Sequence, residues 1–376
     1  MAPGSAGWAT DPVSVRIAHT TRSCGADRGP VEAPVSTRIV LITGGGGVGK
    51  TTLSAGLALE AARRGYRTLV VTIDPARRLA TALGLDDLGA DPTPLAEEPL
   101  LWGAMLDAAR SWNEIAQHYA PPEVAPRLTA NPFFEAATQH FPASQAFAAA
   151  EEMTLCAQSE RWDVIVVDTP PAAGGIEFFT SPARMRDLIG GRLLKWLTGG
   201  SLPGRKLFYR FTARPALRIA DSALGSELLE AVADFLLDLR AAYDGIARRS
   251  KEIERRLRTA HTVVVTTADP APIAEAARFF ELESGPPEFV VFNRTLPEAW
   301  YGAESPVSGP IAENLHRWGT EAHRQAAVRH RFSARWHVHP ATIPWQSSAP
   351  TDLERLGAMI DSAEGLDLDL LLGPAQ

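Results

Sequence analysis

The sequence predicts an α/β fold, in which a mainly parallel sheet is flanked by helices and an α-helical subdomain is inserted into the chain. Two observations support this prediction. Apolar runs of strand length recur along the chain, and helical patterns lie between them. The runs are continuously apolar rather than alternating, which is typical of parallel strands that are covered on both faces.

The first three predicted elements form a βαβ unit. A strand at 38–43 ends in glycine-rich sequence, an alanine- and leucine-rich helix follows at about 50–64, and a second strand occupies 68–73. Helical patterns at about 95–160 and 183–258 then interrupt the series of strands. The remaining strands are predicted at 163–168, 262–267 and 288–293, with weaker ones at 336–339 and 343–345.

These elements predict four regions along the chain. Residues 1–36 have no periodic pattern and are expected to form a flexible leader, and 361–376 form an acidic tail. Leucines alternate with other residues between 366 and 370, which predicts an edge strand or a docking tail. The α/β domain is predicted to comprise 37–92, 163–182 and 260–360, and the helical subdomain 93–162 and 183–259.

Composition excludes several classes of protein. The chain has 376 residues, of which 45% are hydrophobic and 22% charged, as in ordinary globular proteins. Its 37 basic and 44 acidic residues give a net charge of −7, which argues against a nucleic-acid-binding protein. Cys24 and Cys156 form neither a disulfide framework nor a CxxC metal motif. Because the sequence also contains no signal peptide and no apolar run of about 18 residues, we expect a cytoplasmic protein.

A phosphate-binding motif follows the first strand. Residues 44–51, GGGGVGKT, match the pattern G-x-x-x-x-G-K-[ST] between a predicted strand and a predicted helix. Lys50 is expected to hold β- and γ-phosphate oxygens, and the Thr51 hydroxyl to ligate Mg²⁺. The fold is therefore predicted to be that of a P-loop NTPase. The predicted nucleotide-binding residues are Gly46, Gly47, Val48, Gly49, Lys50, Thr51 and Thr52.

Two carboxylates are placed where strands end. Asp168 follows the strand at 163–168 and, with Thr51, is predicted to position Mg²⁺. Asp74 follows the second strand and is predicted to act with Lys50 in catalysis, by orienting or deprotonating a water molecule. The alternative role of each aspartate is that of a turn or helix-capping residue.

Three segments together resemble the arsenite-pump and tail-anchored-protein targeting ATPases, which carry a deviant P-loop of the SIMIBI class. The segments are the phosphate loop with Thr52, DPARRL at 74–79, and DTPP at 168–171. The resemblance extends over about 38–360. It implies ATP as the nucleotide, Mg²⁺ as its cofactor, and a dimer that ATP closes, with Asp74 as the acid that activates water.

The same resemblance implies further contacts with the nucleotide. Asn293 and Pro344 correspond to residues that contact adenine, and Asp269 to a residue that reaches the nucleotide across the dimer. The family's loop carries a lysine where this chain has Gly45, and that lysine enters the partner's site. The chain therefore hydrolyses ATP slowly, uses another cation such as Arg77 or Arg78, or receives the lysine from a paralogue. We favour the paralogue.

Other segments bear on possible partners. Between 184 and 218 the chain has nine basic residues and one acid among apolar ones, a pattern that indicates a protein client, a membrane surface or only a solvated helix face. No nucleic-acid partner is expected.

His330, His337 and His339 do not suffice for a metal site. The isolated cysteines argue against arsenite binding, and the absence of CxxC means that any dimer relies on packing.

The leading functional hypothesis is a Mg²⁺-dependent ATPase, acting as a homo- or heterodimer, whose closure acts on a protein or membrane client. The first alternative is a non-catalytic nucleotide-binding subunit that regulates a heterodimer and depends on a partner for the missing lysine. The second alternative is a partition-type ATPase, although such proteins lack long helical insertions like those at 95–160 and 183–258.

Overall fold

The computed structural model describes residues 37–74, 77–140, 142–170, 172–190, 226–282, 287–301 and 308–375. Within these ranges eight strands form one sheet in the order β3-β4-β2-β5-β1-β6-β7-β8. Neighbouring strands are parallel except for β3, which is antiparallel to β4. The strands are β1 Arg38–Gly44, β2 Thr68–Thr72, β3 Thr93–Pro94, β4 Leu101–Met105, β5 Val164–Asp168, β6 His261–Thr266, β7 Phe289–Thr295 and β8 Pro340–Pro344.

Helices connect the parallel strands. Those before β6 are α1 Lys50–Arg63, α2 Arg78–Ala82, α3 Ala108–Tyr119, α4 Ala125–Thr129, α5 Pro132–His140, α6 Pro142–Gln158, α7 Ala172–Gly190, α8 Ser226–Ala241 and α9 Tyr243–Thr259. Those after β6 are α10 Pro270–Phe280, α11 Pro310–Trp336, α12 Leu353–Asp361 and α13 Leu368–Leu372, with a short 3₁₀ turn at Glu298–Trp300. In the described part of the chain no helix is long and apolar enough to cross a membrane.

Both faces of the sheet are covered, as its continuously apolar strands require. Alternate residues of the central strands, such as Val40 and Val166, face α1, α12 and α13. The intervening residues, such as Leu41 and Val167, face α3, α6, α7 and α9. Val264, with its neighbours on β7, packs against α10 and α11. The inserted helices therefore share a core with the sheet.

The predicted fold class is confirmed, but three local predictions are wrong. The helical pattern predicted from about 95 begins later, because Leu101–Met105 form β4 beside β2, and these residues lay within the predicted helical subdomain. The weak strand predicted at 336–339 is absent because α11 continues to Trp336 and His337 ends it in the left-handed region, with φ 54°. The apolar residues from Leu228 to Ile246 recur at helical spacing, which predicts one long helix, but this segment is divided between α8 and α9, which meet at Ala242.

The C-terminal tail docks on the body of the protein as a short helix rather than as an edge strand. Leu371 and Leu372 are fully buried against the α1 side of the sheet. The Tyr66 hydroxyl donates a hydrogen bond of 2.7 Å to the Pro374 carbonyl, and Arg64 donates one of 2.9 Å to the Gly373 carbonyl. The predicted leader, 1–36, lies outside the described residues, and the predicted division into domains stays a prediction.

Candidate functional site

The phosphate loop connects β1 to α1 at the carboxyl edge of the sheet. Its last glycine, Gly49, is the N-cap of α1 and has a φ of 99°, a left-handed conformation that glycine adopts without strain. No side chain caps this helix. The unpaired backbone N–H groups of its first turn therefore remain available to an anion, and the helix dipole favours negative charge at the same point.

Lys50, the first residue of α1, points back into this loop. Its side chain is buried, and Nζ donates a hydrogen bond of 2.7 Å to the Gly45 carbonyl oxygen. Burial lowers the pKa of Lys50, while the nearby carboxylates of Asp168, Asp74 and Glu275 act in the opposite direction. The ammonium group is therefore held inside the loop, where phosphate oxygens would lie.

Asp168 is the most deeply buried acid of the site. Parallel pairing aligns it with Ile42 of β1 and Thr72 of β2, so the ends of three strands converge on it. Its Oδ2 accepts hydrogen bonds of 2.8 Å from the Thr51 hydroxyl and 3.0 Å from the Thr72 hydroxyl. Burial raises the pKa of Asp168 to about 6, although these hydrogen bonds and Lys50 favour its ionised form.

The chemistry of Asp168 and Thr51 fits a magnesium ion that arrives with a nucleotide. Asp168 Oδ1 is buried and has no hydrogen-bond partner among the described residues, so one carboxylate oxygen remains available. Mg²⁺ prefers oxygen ligands, and in nucleotide sites it takes few from the protein and the rest from phosphate and water. The described part of the chain has no group of three or more His, Cys, Asp or Glu side chains that could hold a metal ion.

Asp74 lies at the same edge of the sheet, just beyond β2. Its backbone N–H donates a hydrogen bond of 3.2 Å to the Thr72 hydroxyl, which also serves Asp168. One carboxylate oxygen is 3.3 Å from a guanidinium nitrogen of Arg78, and the Asp74 side chain is 22% exposed. Asp74 is therefore held next to the phosphate loop with access to water. Arg77 turns away and pairs with Asp87 at 3.8 Å.

Asn293, predicted to contact adenine, lies against the phosphate loop. Its Nδ2 donates a hydrogen bond of 2.8 Å to the Val48 carbonyl, and its Oδ1 accepts one of 2.9 Å from the backbone N–H of Arg294. Pro344, the last residue of β8, pairs with Thr295, which lies two residues after Asn293 on β7. The two residues therefore lie on adjacent strands at one side of the loop, and their contact with a base stays a prediction.

Other residues singled out in the sequence have different partners. Asp269 precedes α10, accepts a hydrogen bond from Thr267 and pairs with Arg324 at 3.7 Å. Of the basic segment, Arg184 and Arg186 pair with Glu177 and Glu254, and residues 191–218 lie outside the described ones.

Cys24 also lies outside the described residues. Burial raises the pKa of the Cys156 thiol to about 11, which keeps it protonated at neutral pH. A protonated thiol is a poor ligand for soft metals and metalloids.

Two residues of the site were not identified from the sequence. Thr72 precedes Asp74 by two residues at a strand end, and only strand pairing reveals that it supports Asp168. Glu275, on α10, is distant in sequence from the loop, yet its carboxylate lies where a Cβ on Gly45 would be. No sequence pattern connects either residue to the motif.

A family model described as an anion-transporting ATPase matches residues 37–302. The chain belongs to this family. The match contains the phosphate loop, both predicted acids and the inserted helices, so the resemblance inferred from short motifs is confirmed over most of the chain. Membership in the anion-transporting ATPase family supports an ATPase-type function.

Individual relatives agree with this assignment. An uncharacterised protein of Streptomyces coelicolor is 33% identical over 293 residues, which are 75% of this chain and 69% of that protein. A protein of Halobacterium salinarum described as an arsenical pump-driving ATPase is 31% identical over 188 residues, 46% of this chain and 27% of the relative. The ATPase ARSA1 of Chlamydomonas reinhardtii is 44% identical over 78 residues, 20% of this chain and 10% of the relative. The chain thus spans about a quarter or less of these two named relatives.

Proposed function

We propose that this protein binds ATP with Mg²⁺ in the phosphate loop and hydrolyses it. The observation that carries the proposal is the convergence on Asp168, where Thr51 and Thr72 donate to one oxygen and the other is buried without a partner. An uncompensated oxygen in such a buried position is costly unless a ligand uses it. Lys50 and Asp74 both lie close enough to Asp168 to act on its carboxylate.

Each residue has a distinct task in the proposed reaction. Lys50 and the N–H groups at the start of α1 bind the phosphates and offset charge that develops on them. Thr51 and Asp168 would hold Mg²⁺, which, when bound, neutralises phosphate charge as a Lewis acid. Asp74 accepts a hydrogen bond from the attacking water, aligns it with the terminal phosphate and takes up its proton.

The proposed reaction includes a second subunit. Gly45 gives the loop no side chain that could reach a neighbouring site, and we infer that a cation comes from the partner of a dimer, with a lysine-bearing paralogue as the favoured partner. Cations supplied in this way accelerate phosphoryl transfer by about 10³–10⁵-fold. Closure of the dimer around ATP would then act on a protein or membrane client, and the basic segment at 184–218 is the proposed contact.

A second candidate function is a regulatory subunit that binds ATP without hydrolysing it. The position of the Glu275 carboxylate beside Gly45 favours this candidate, because it places an acid where the family has a lysine. A partition-type ATPase is less well supported, because the family match includes the long inserted helices. Arsenite is not the proposed client, since the Cys156 thiol is protonated and lies outside the site.

Steady-state hydrolysis separates the two candidates. The purified chain is assayed with ATP and Mg²⁺, alone and with a lysine-bearing paralogue, and ATP affinity is measured on the same samples by calorimetry. The first candidate predicts turnover that increases with the paralogue and is lost in Asp74→Asn. ATP binding without turnover under either condition would support the regulatory subunit, and the absence of ATP binding would contradict both.

A further inference from the structure

The side chain of Glu275 closes one side of the phosphate loop. Glu275 lies near the middle of α10, which packs on β6 and β7 next to β1. A Cβ added to Gly45 would overlap with Glu275 Oε2, whereas a Cβ on the next residue, Gly46, would meet no atom within 4 Å. The carboxylate therefore rests directly on the backbone of the loop at its second glycine. Gly45 is buried beneath it.

Within the described ranges no hydrogen bond or ion pair forms to Glu275, although its side chain is half-buried. Its field acts on Lys50, whose ammonium bonds to the carbonyl of the same Gly45. Asp74 and Asp168 also act on Lys50, so three acids surround the loop's lysine, with Arg78 as the other nearby cation.

Two of these acids have a use when a nucleotide is bound, and Glu275 does not. Under the proposed function Asp168 would hold Mg²⁺ and Asp74 would accept a hydrogen bond from water, so both acids would face groups that favour negative charge. Glu275 instead lies against the backbone of Gly45, within the loop that would bind the phosphates. Like charges that are close together in a partly buried site repel each other more strongly than in bulk water.

We propose that Glu275 is an acidic gate on the phosphate loop, which opposes entry of the nucleotide's phosphates until its carboxylate moves away from Gly45. Glycine at position 45 is what allows the carboxylate to approach the loop so closely. This inference rests on the proposed function, because it concerns the affinity of the same site for ATP. Glu275 is a positioning residue and takes no part in the chemical step.

The first test removes the charge and keeps the shape. Glu275→Gln is expected to bind ATP and inorganic triphosphate about tenfold more tightly than the parent chain, measured as Kd by calorimetry. The gain should shrink as salt rises from 0.05 to about 0.5 M, because screening weakens the repulsion. Glu281, an exposed acid just after α10, provides the matched control, and Glu281→Gln should leave Kd unchanged. Unchanged or weaker binding by Glu275→Gln would overturn the inference.

The second test moves the same carboxylate without altering its charge. In Gly45→Ala the new methyl group takes the space of Oε2, and because a glutamate end group is flexible, the side chain rather than the loop should shift. We expect tighter ATP binding here too, and no further gain when Gly45→Ala is added to Glu275→Gln. Equal, additive effects of the two substitutions would contradict a shared cause.

The outcomes for the inference and for the proposed function are distinguishable. If neither the parent chain nor any variant binds ATP, the proposed function fails. If the parent chain binds ATP and all variants bind it equally, only the gate is wrong.

Discussion

Asn293 at the end of β7 donates a hydrogen bond of 2.8 Å from Nδ2 to the carbonyl oxygen of Val48 in the phosphate loop. A strand two places away from β1 thereby holds the loop from the side. A Cβ on Gly49 would overlap with the same Nδ2, so the loop and the amide fit together only with glycine at this position. The loop is therefore contacted by a residue 245 positions further along the chain.

Replacing this amide tests its support of the loop. Asn293→Ala should weaken ATP binding about tenfold and lower the free energy of unfolding by about 1 kcal/mol, because the Val48 carbonyl loses its donor. Asn293→Asp is the sharper comparison, since it keeps the shape, removes the donor and adds negative charge near phosphate. Its ATP affinity should fall further than that of Asn293→Ala. Affinities of both variants that match the parent chain would show that Asn293 does not support the loop.

Asp168 should make the protein less stable at neutral pH in the absence of nucleotide. Its pKa is about 6 in the folded protein and 3.8 in the reference state, so between these values the folded protein binds a proton that the unfolded chain does not. The contribution of Asp168 to the free energy of unfolding is therefore fully present below about pH 4 and is lost as the pH rises through about 6. Asp168→Asn, which does not titrate, should be more stable than the parent above pH 6, by up to about 3 kcal/mol.

Urea unfolding at several pH values measures this difference. The advantage of Asp168→Asn should disappear near pH 4, and Asp86→Asn, at an exposed acid, serves as the control substitution. Addition of ATP and Mg²⁺ should reverse the order of stability, because only the parent chain keeps the carboxylate for the metal. An Asp168→Asn variant that is less stable than the parent chain at pH 7.5 without ligand would contradict the burial argument.

The docked tail should contribute measurably to stability. Leu371 is fully buried, so Leu371→Ala should lower the free energy of unfolding by about 2–4 kcal/mol. The adjacent Leu370 is 48% exposed, and Leu370→Ala should cost less than about 0.5 kcal/mol. Urea titration of the two variants makes the comparison within one helix. Equal effects would indicate that the tail does not pack as described.

Sequence alone predicted the central part of the fold and the motif residues of the site. The strands at 38–43, 68–73, 163–168, 262–267 and 288–293 agree with β1, β2, β5, β6 and β7 to within two residues, because buried parallel strands leave uninterrupted apolar runs. Lys50 and Thr51 belong to one local motif, and Asp74 and Asp168 follow predicted strands, so the sequence places all four at the carboxyl edge of the sheet. Their roles stay predictions.

The remaining features depend on contacts that local patterns do not encode. The strand Leu101–Met105 contains glycine and alanine and precedes a helical stretch, so its apolar character did not distinguish it from a helix. The alternating leucines of the tail are compatible with an edge strand, whereas Asp367 caps the helix α13 by accepting a hydrogen bond from the backbone N–H of Leu370. Glu275 and Asn293 reach the loop only because β6 and β7 follow β1 in the sheet.

The most direct test of the proposed function is single-turnover hydrolysis. Excess protein is mixed with radiolabelled ATP and Mg²⁺, and bound ATP and released phosphate are followed over time in the parent chain and in Asp74→Asn. We expect both proteins to bind ATP, and only the parent chain to release phosphate. Phosphate release at the same rate in Asp74→Asn, or no ATP binding by the parent chain, would contradict the assignment of this site as an ATPase centre.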